Sequence, residues 1–128
     1  LHLAECDGLK LRVTAQCERR LVLDPTDPFG AGDHWGFALE GVDPGVSITK
    51  VAIAEDDEKS LILTLNAPVT GPQPVLCYAV NMASSNEDFK ENLGALRDDF
   101  EPAMHHDLSA EDVSLLRRWA LPARLPIR

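Results

Sequence analysis

Basic charge, aromatic rings and long apolar runs are all scarce in this chain. Its 12 Lys and Arg stand against 21 Asp and Glu, a formal net charge of −9. Proteins hold nucleic-acid phosphates by displacing counterions with Lys and Arg, so this balance argues against a nucleic-acid partner. Aromatics make up 5% of the residues, which counts against a polysaccharide binder with many stacking subsites. No apolar run approaches the roughly 18 residues that span a bilayer, so no membrane partner is expected. No basic segment leads into an apolar stretch in the manner of a signal peptide. Cysteine is sparse too. Cys6, Cys17 and Cys77 form no CxxC pair, and a structural zinc site takes about four closely spaced ligands. Cys77 lies in an apolar segment and reads as a buried small hydrophobe. A Cys6–Cys17 bridge across an N-terminal hairpin stays open.

What is present is a series of short apolar segments between turn residues. The length, 128 residues, suits one domain with one core. The chain opens without Met in an already strand-like Leu1–Val13, and we read it as an excised domain or processed fragment. Expected strands are Leu9–Cys17, Arg20–Leu23, Trp35–Leu39, Ser47–Ala54, Ser60–Asn66 and Pro74–Val80. In Ser60–Asn66 the alternation sends Leu61, Leu63 and Leu65 to one face and Ile62, Thr64 and Asn66 to the other. The short charged loop Glu55–Lys59 predicts an antiparallel hairpin with Ser47–Ala54. The connection Ala67–Pro72 then predicts a three-strand meander into Pro74–Val80. Ser109, with Asp112 three residues on, resembles a capping box, and Val113, Leu115, Leu116 and Trp119 continue it as one short C-terminal helix. Pro122 ends that helix, and Leu121–Arg128 reads as an extended tail along the domain. The pattern is all-β: an antiparallel β-sandwich of about six to eight strands with one C-terminal helix.

The last third holds a Tyr-Ala strand, Val75–Val80 (VLCYAV), followed after a polar loop by Glu91–Ala103 (ENLGALRDDFEPA). This order resembles the ending of the accessory C-terminal β-sandwich domains of SGNH/GDSL-type carbohydrate esterases and of some phage tail proteins. The Gly94-Ala95 pair here separates Asn92-Leu93 from Leu96-Arg97-Asp98. The resemblance implies a non-catalytic accessory module that is carbohydrate-binding or esterase-associated, partnered by a glycan or a neighbouring catalytic domain. An extracellular or phage-associated setting goes with it. Two other readings stand beside it: a structural or assembly domain, and a lid lending His34 to a neighbouring hydrolase site.

Gly30–Phe37 is the best candidate surface. Trp35 offers a flat face for a sugar ring, and Asp33 and His34 offer polar groups for its hydroxyls. The competing reading has Trp35 packing inward with Phe37 and Leu39 as a sandwich-core tryptophan. Arg97 is the residue to grip an acidic sugar, because its guanidinium can take a carboxylate with two hydrogen bonds; beside Asp98 and Asp99 it is also expected to form a local ion pair. Asn92 can cap or bridge the same turn. No catalytic residues are expected: no GDS-type nucleophile block is present, and the Ser84-Ser85-Asn86 loop lacks the glycine frame of a nucleophile elbow. No cofactor or resident metal is expected either. The alternatives are Ca²⁺ held by Asp24, Asp27 and Asp33, which lack a DxDxDG pattern, and a transition metal at His105-His106-Asp107. Between Glu87 and Asp112 nine acids face only Lys90 and Arg97, while Arg117, Arg118, Arg124 and Arg128 reverse the sign. We expect a solvated acidic face with a basic tail folded back on it.

Overall fold

The computed structural model describes residues 1–26, 31–79, 94–100 and 117–128. Among them the chain is all-β and carries no helix. The strands are β1 (Leu3–Asp7), β2 (Lys10–Thr14), β3 (Leu21–Leu23), β4 (Phe37–Glu40), β5 (Ile48–Ile53), β6 (Ser60–Leu65), β7 (Val75–Tyr78), β8 (Leu96–Asp98) and β9 (Ala123–Pro126). They form antiparallel sheets in the orders β1-β2-β6-β5, β4-β7-β9 and β3-β8.

The alternation in β6 works as its sequence predicts. Leu61, Leu63 and Leu65 are buried, and they meet Leu11 and Val13 of β2 and Val51 of β5 in one core. Phe37, Leu76, Tyr78 and Leu96 complete that core from the other sheets. Each such side chain contributes about 1.5–3 kcal/mol on leaving water. β5 and β6 form the expected hairpin, and its charged loop is tightly organised. Asp57 accepts from the Lys59 amide at 3.0 Å and from the Ser60 hydroxyl at 2.7 Å, which satisfies the buried Ser60. Arg12 of β2 reaches across to both Asp56 carboxylate oxygens, at 3.0 and 3.2 Å.

Several expectations are corrected. The strand expected over Leu9–Cys17 is shorter, Lys10–Thr14, and it pairs with β1 in a hairpin turning at Gly8, which takes φ +61° as a tight turn demands. The meander does not form. A strand has two edges, and β2 and β5 occupy both edges of β6, so β7 joins β4 and β9 instead. The connection between them is set by backbone crowding. Gly41 (φ +68°) would put a Cβ 2.0 Å from the Gln73 carbonyl oxygen, and Gly71 (φ +136°) would put one 2.4 Å from the Gly41 carbonyl oxygen. The helix from Ser109 falls on residues outside those described. Trp119, assigned to its end, instead forms an antiparallel bridge to Arg97.

The tail does lie along the domain, as a strand. β9 pairs with β7, and the residue after it crosses to the first sheet through a parallel bridge between Ile127 and Ala4. The Arg128 amide donates to the Ala4 carbonyl at 3.1 Å and the Cys6 amide to the Arg128 carbonyl at 2.7 Å. The tail therefore joins two sheets that share no other ladder among the described residues. Arg124 of β9 also pairs with Glu40 of β4. Cys6, Cys17 and Cys77 are all free.

The two glycine environments give a direct comparison. Gly41→Ala combines a left-handed backbone with a backbone collision and should destabilise by about 2–5 kcal/mol. Gly8→Ala shares the positive φ but meets open space, and should cost only about 1 kcal/mol. Urea midpoints of the two variants check the ordering.

Candidate functional site

The Gly32–Phe37 segment is a turn rather than the start of a strand, and β4 begins at Phe37. The Trp35 amide donates to the Gly32 carbonyl at 3.2 Å and the Phe37 amide to the His34 carbonyl at 2.9 Å. Closing this turn forces Trp35 to φ +60°. A left-handed backbone costs a residue with a side chain about 1–2 kcal/mol. Among the described residues one other non-glycine residue does this, Ala79 at φ +57°. The two strained residues belong to one corner. The Ala79 amide donates to the Gly36 carbonyl and the Ala95 amide to the Trp35 carbonyl, each at 2.9 Å.

Tyr78 anchors the corner from below. Its buried ring lies 4.9 Å from the Phe37 ring, tilted by 52°. Its hydroxyl donates to the Leu96 carbonyl at 3.3 Å and accepts from the Leu96 amide at 3.1 Å. Burial pushes the phenol up to about 12, against the smaller opposing effect of the Leu96 and Gly94 hydrogen bonds, so it stays protonated. Gly94 is required here, since a Cβ on it would lie 2.6 Å from the Tyr78 ring.

On this frame Asp33 and His34 are exposed, while Trp35 is half-buried and packs against the core. Trp35 thus follows the inward reading in part and still reaches the surface beside the two polar residues. Phe37, two residues on, is fully inside.

Arg97 lies elsewhere and is already engaged. It does not pair with its neighbours Asp98 and Asp99, as local reasoning expects, because its side chain points to Asp24 instead. Its Nε donates to Asp24 Oδ2 at 2.9 Å, with the two side chains 11% and 8% exposed. Its Nη1 donates to the Asp98 carbonyl at 2.9 Å. Asp24 Oδ1 accepts from the Thr26 amide at 2.9 Å and the Thr26 hydroxyl at 2.6 Å. Burial alone pushes the Asp24 carboxyl up, yet the hydrogen bonds from Thr26 and Arg97 outweigh it and hold it below the usual range. Both oxygens of Asp24, a ligand in the alternative calcium reading, are therefore engaged, and Asp27 lies outside the described residues. Asp99 turns the other way, accepting from Arg19 at 2.7 Å and Arg20 at 3.1 Å. Asn92, Ser84-Ser85-Asn86 and His105-His106-Asp107 lie outside the described residues as well. Among the described residues no group of three or more His, Cys, Asp and Glu is placed to hold a metal ion.

A concavity of 260 Å³ opens between β3, β8 and the segment before β9. Its lining includes Cys17, Leu21, Leu96, Trp119 and Leu121, and Leu121 is 76% exposed. Sequence reasoning missed it because it placed Trp119 on a helix. Burial pushes the Cys17 thiol up, so the groove offers no activated thiolate.

The buried pair makes a signed prediction. Asp24 has a folded pKa below its unfolded value of 3.8, so its stabilisation is fully present above that value and is lost as pH falls through the folded pKa. Arg97→Ala removes one partner of a buried pair and should destabilise by about 3–5 kcal/mol at neutral pH. Urea titrations from neutral to acid pH should show the gap between wild type and Arg97→Ala narrowing at the acid end.

Comparison with known proteins returned no matching family model, no matching curated protein and no matching solved structure.

Proposed function

We propose that the chain is a non-catalytic accessory module whose Gly32–Gly36 turn is a ligand lip, and that its ligand is a glycan. The observation that supports this most is the strain at the corner. The left-handed Trp35 and Ala79 are hydrogen-bonded into one framework, and the exposed Asp33 and His34 immediately precede Trp35 in the turn. Strain of this kind persists where surrounding structure over-determines it, and it collects at ligand clamps. An aromatic surface with a carboxylate and an imidazole beside it suits a sugar, which presents an apolar ring face edged by hydroxyls. The Tyr-Ala strand and the Leu96-Arg97-Asp98 segment carry the resemblance to esterase-associated and phage-tail sandwich domains, and we read the sheets as the layers of such a sandwich.

A second reading, a structural or assembly domain, is favoured by two observations. Trp35 packs partly on the core, and Leu121 stands exposed at the rim of the groove beside Trp119.

The chain has two tryptophans, Trp35 and Trp119. In a Trp119→Phe background, Trp35 alone reports. Titration with neutral and acidic oligosaccharides should give a saturable emission shift that Asp33→Ala/His34→Ala abolishes. A spectrum that no sugar changes would remove the glycan lip and leave the assembly reading.

A further inference from the structure

The outer face of the first sheet carries a row of residues that the core does not explain. Lys10 on β2, Thr64 on β6 and Lys50 on β5 are direct cross-strand partners, so they stand side by side. Adjacent strands lie about 4.8 Å apart, which puts the two lysine backbones on the order of 10 Å from each other with a hydroxyl between them. The next row on the same face is Arg12, Ile62 and Ala52. Lys10, Thr64, Lys50, Ile62 and Ala52 all line an open depression of 410 Å³.

This alignment depends on a β-bulge. Ile48 pairs with Leu65 and Lys50 with Thr64, so Thr49 is an extra residue in β5. The Thr49 hydroxyl donates to the Thr64 carbonyl at 3.1 Å and fixes the bulge. In a regular ladder Lys50 would oppose Leu63 and point at the core. With the bulge, Ile48 and Val51 are both buried and Lys50 is exposed opposite Thr64. Bulges commonly re-aim a side chain in this way.

The charges in the row differ from most of the arginines. Arg12, Arg19, Arg20, Arg97, Arg118 and Arg124 each have a carboxylate partner. Among the described residues Lys10 and Lys50 form no ion pair, although Asp7 is the cross-strand neighbour of Lys10. Asp56, which borders the depression, is neutralised by Arg12. Glu55 borders it too, five residues along the chain from Lys50. Lysine is a flexible point charge, so two ammonium groups can converge on one anion above Thr64.

We propose that this row is a binding site for a small organic anion. Its acceptor oxygens sit between Lys10 and Lys50 and take a hydrogen bond from Thr64, and its apolar edge lies on Ile62 and Ala52. A ring acid of the uronate type has both parts. Electrostatic screening at physiological salt acts over about 8 Å, so the local lysines rather than the net charge of −9 set the potential here. The same net charge disfavours a long polyanion, which would run past the lysines onto acidic surface. The site is separate from the Trp35 corner and does not rest on the glycan reading.

Amide chemical-shift titrations of the full chain with glucuronate, inorganic sulfate and glucose test it. Glucuronate should bind most tightly, sulfate more weakly, and glucose not at all, with shifts centred on residues 10, 50 and 64. Charge-assisted hydrogen bonds imply that Lys10→Gln or Lys50→Gln weakens glucuronate by about tenfold or more. Both side chains are exposed, so the fold should be unaffected, and Lys59→Gln should retain full binding. Ile62→Thr should weaken glucuronate but not sulfate. Absence of anion binding, or binding that survives both row substitutions, would overturn the site. Equal affinity for sulfate and glucuronate would overturn the assignment to ring acids.

Discussion

A phenol cannot be buried in an apolar core unless its hydroxyl finds partners, and the position of those partners dictates much of this fold. Tyr78 is at the end of β7, with its ring against Phe37 of β4. Its hydroxyl both gives and receives a hydrogen bond at Leu96, the first residue of β8. Losing either would leave a buried polar group unmatched, at about 1–3 kcal/mol. The β3-β8 ribbon is thereby pinned to the β4-β7-β9 sheet. Gly94 follows from the same constraint, since the chain must pass over the ring where no side chain fits. Once Leu96 is placed, Arg97 is delivered to Asp24 and Asp99 to Arg19 and Arg20.

The other joint is made by the end of the chain. Short sheets expose edges, and an open edge invites pairing with another chain. Here β9 covers an edge of β7, and Ile127 and Arg128 continue onto β1. The basic tail is held by backbone bonds first and by charge second. Of its arginines, Arg124 pairs with Glu40 and Arg118 stacks over the Phe100 ring at 4.3 Å while staying 3.9 Å from Asp98. Of these partners only Asp98 belongs to the expected acidic face; Glu40 does not, and most of that face lies outside the described residues.

How much of this could be read from the sequence depends on the range of the interaction involved. Local alternation was enough for β6, and a short charged loop was enough for the β5-β6 hairpin, because both rest on neighbours in the chain. The failed meander was a question of competition. Nothing near Pro74–Val80 announces that β2, far earlier in the chain, takes the other edge of β6. Arg97 shows the same limit at the level of one side chain. Asp98 and Asp99 are its neighbours, but its partner Asp24 is 73 residues away and is made available by Thr26. Trp119 has helical spacing from Leu115 and Leu116, yet it forms a bridge to Arg97 of β8. At the candidate lip the expected strand is replaced by a turn. Alternation places Trp35 on a strand face with Phe37, whereas the glycines on either side make a turn that lifts it into the left-handed region.

The two surfaces argued to bind ligands share a physical trait. Each lies where the backbone leaves the regular ladder, at the left-handed Trp35–Ala79 corner and at the Thr49 bulge. A regular ladder alternates inward and outward side chains, so its polar residues are spread singly over the outer face. Bringing polar groups together needs a break in that alternation, and a break costs stability unless other bonds hold it. At the corner, the Gly36–Ala79 and Trp35–Ala95 backbone bonds do so; at the bulge, the Thr49 hydroxyl does. Strict periodicity describes the core well because the core has no need for such breaks. It misdescribes these surfaces for the same reason, and departures from the period are therefore where we place the proposed ligand surfaces.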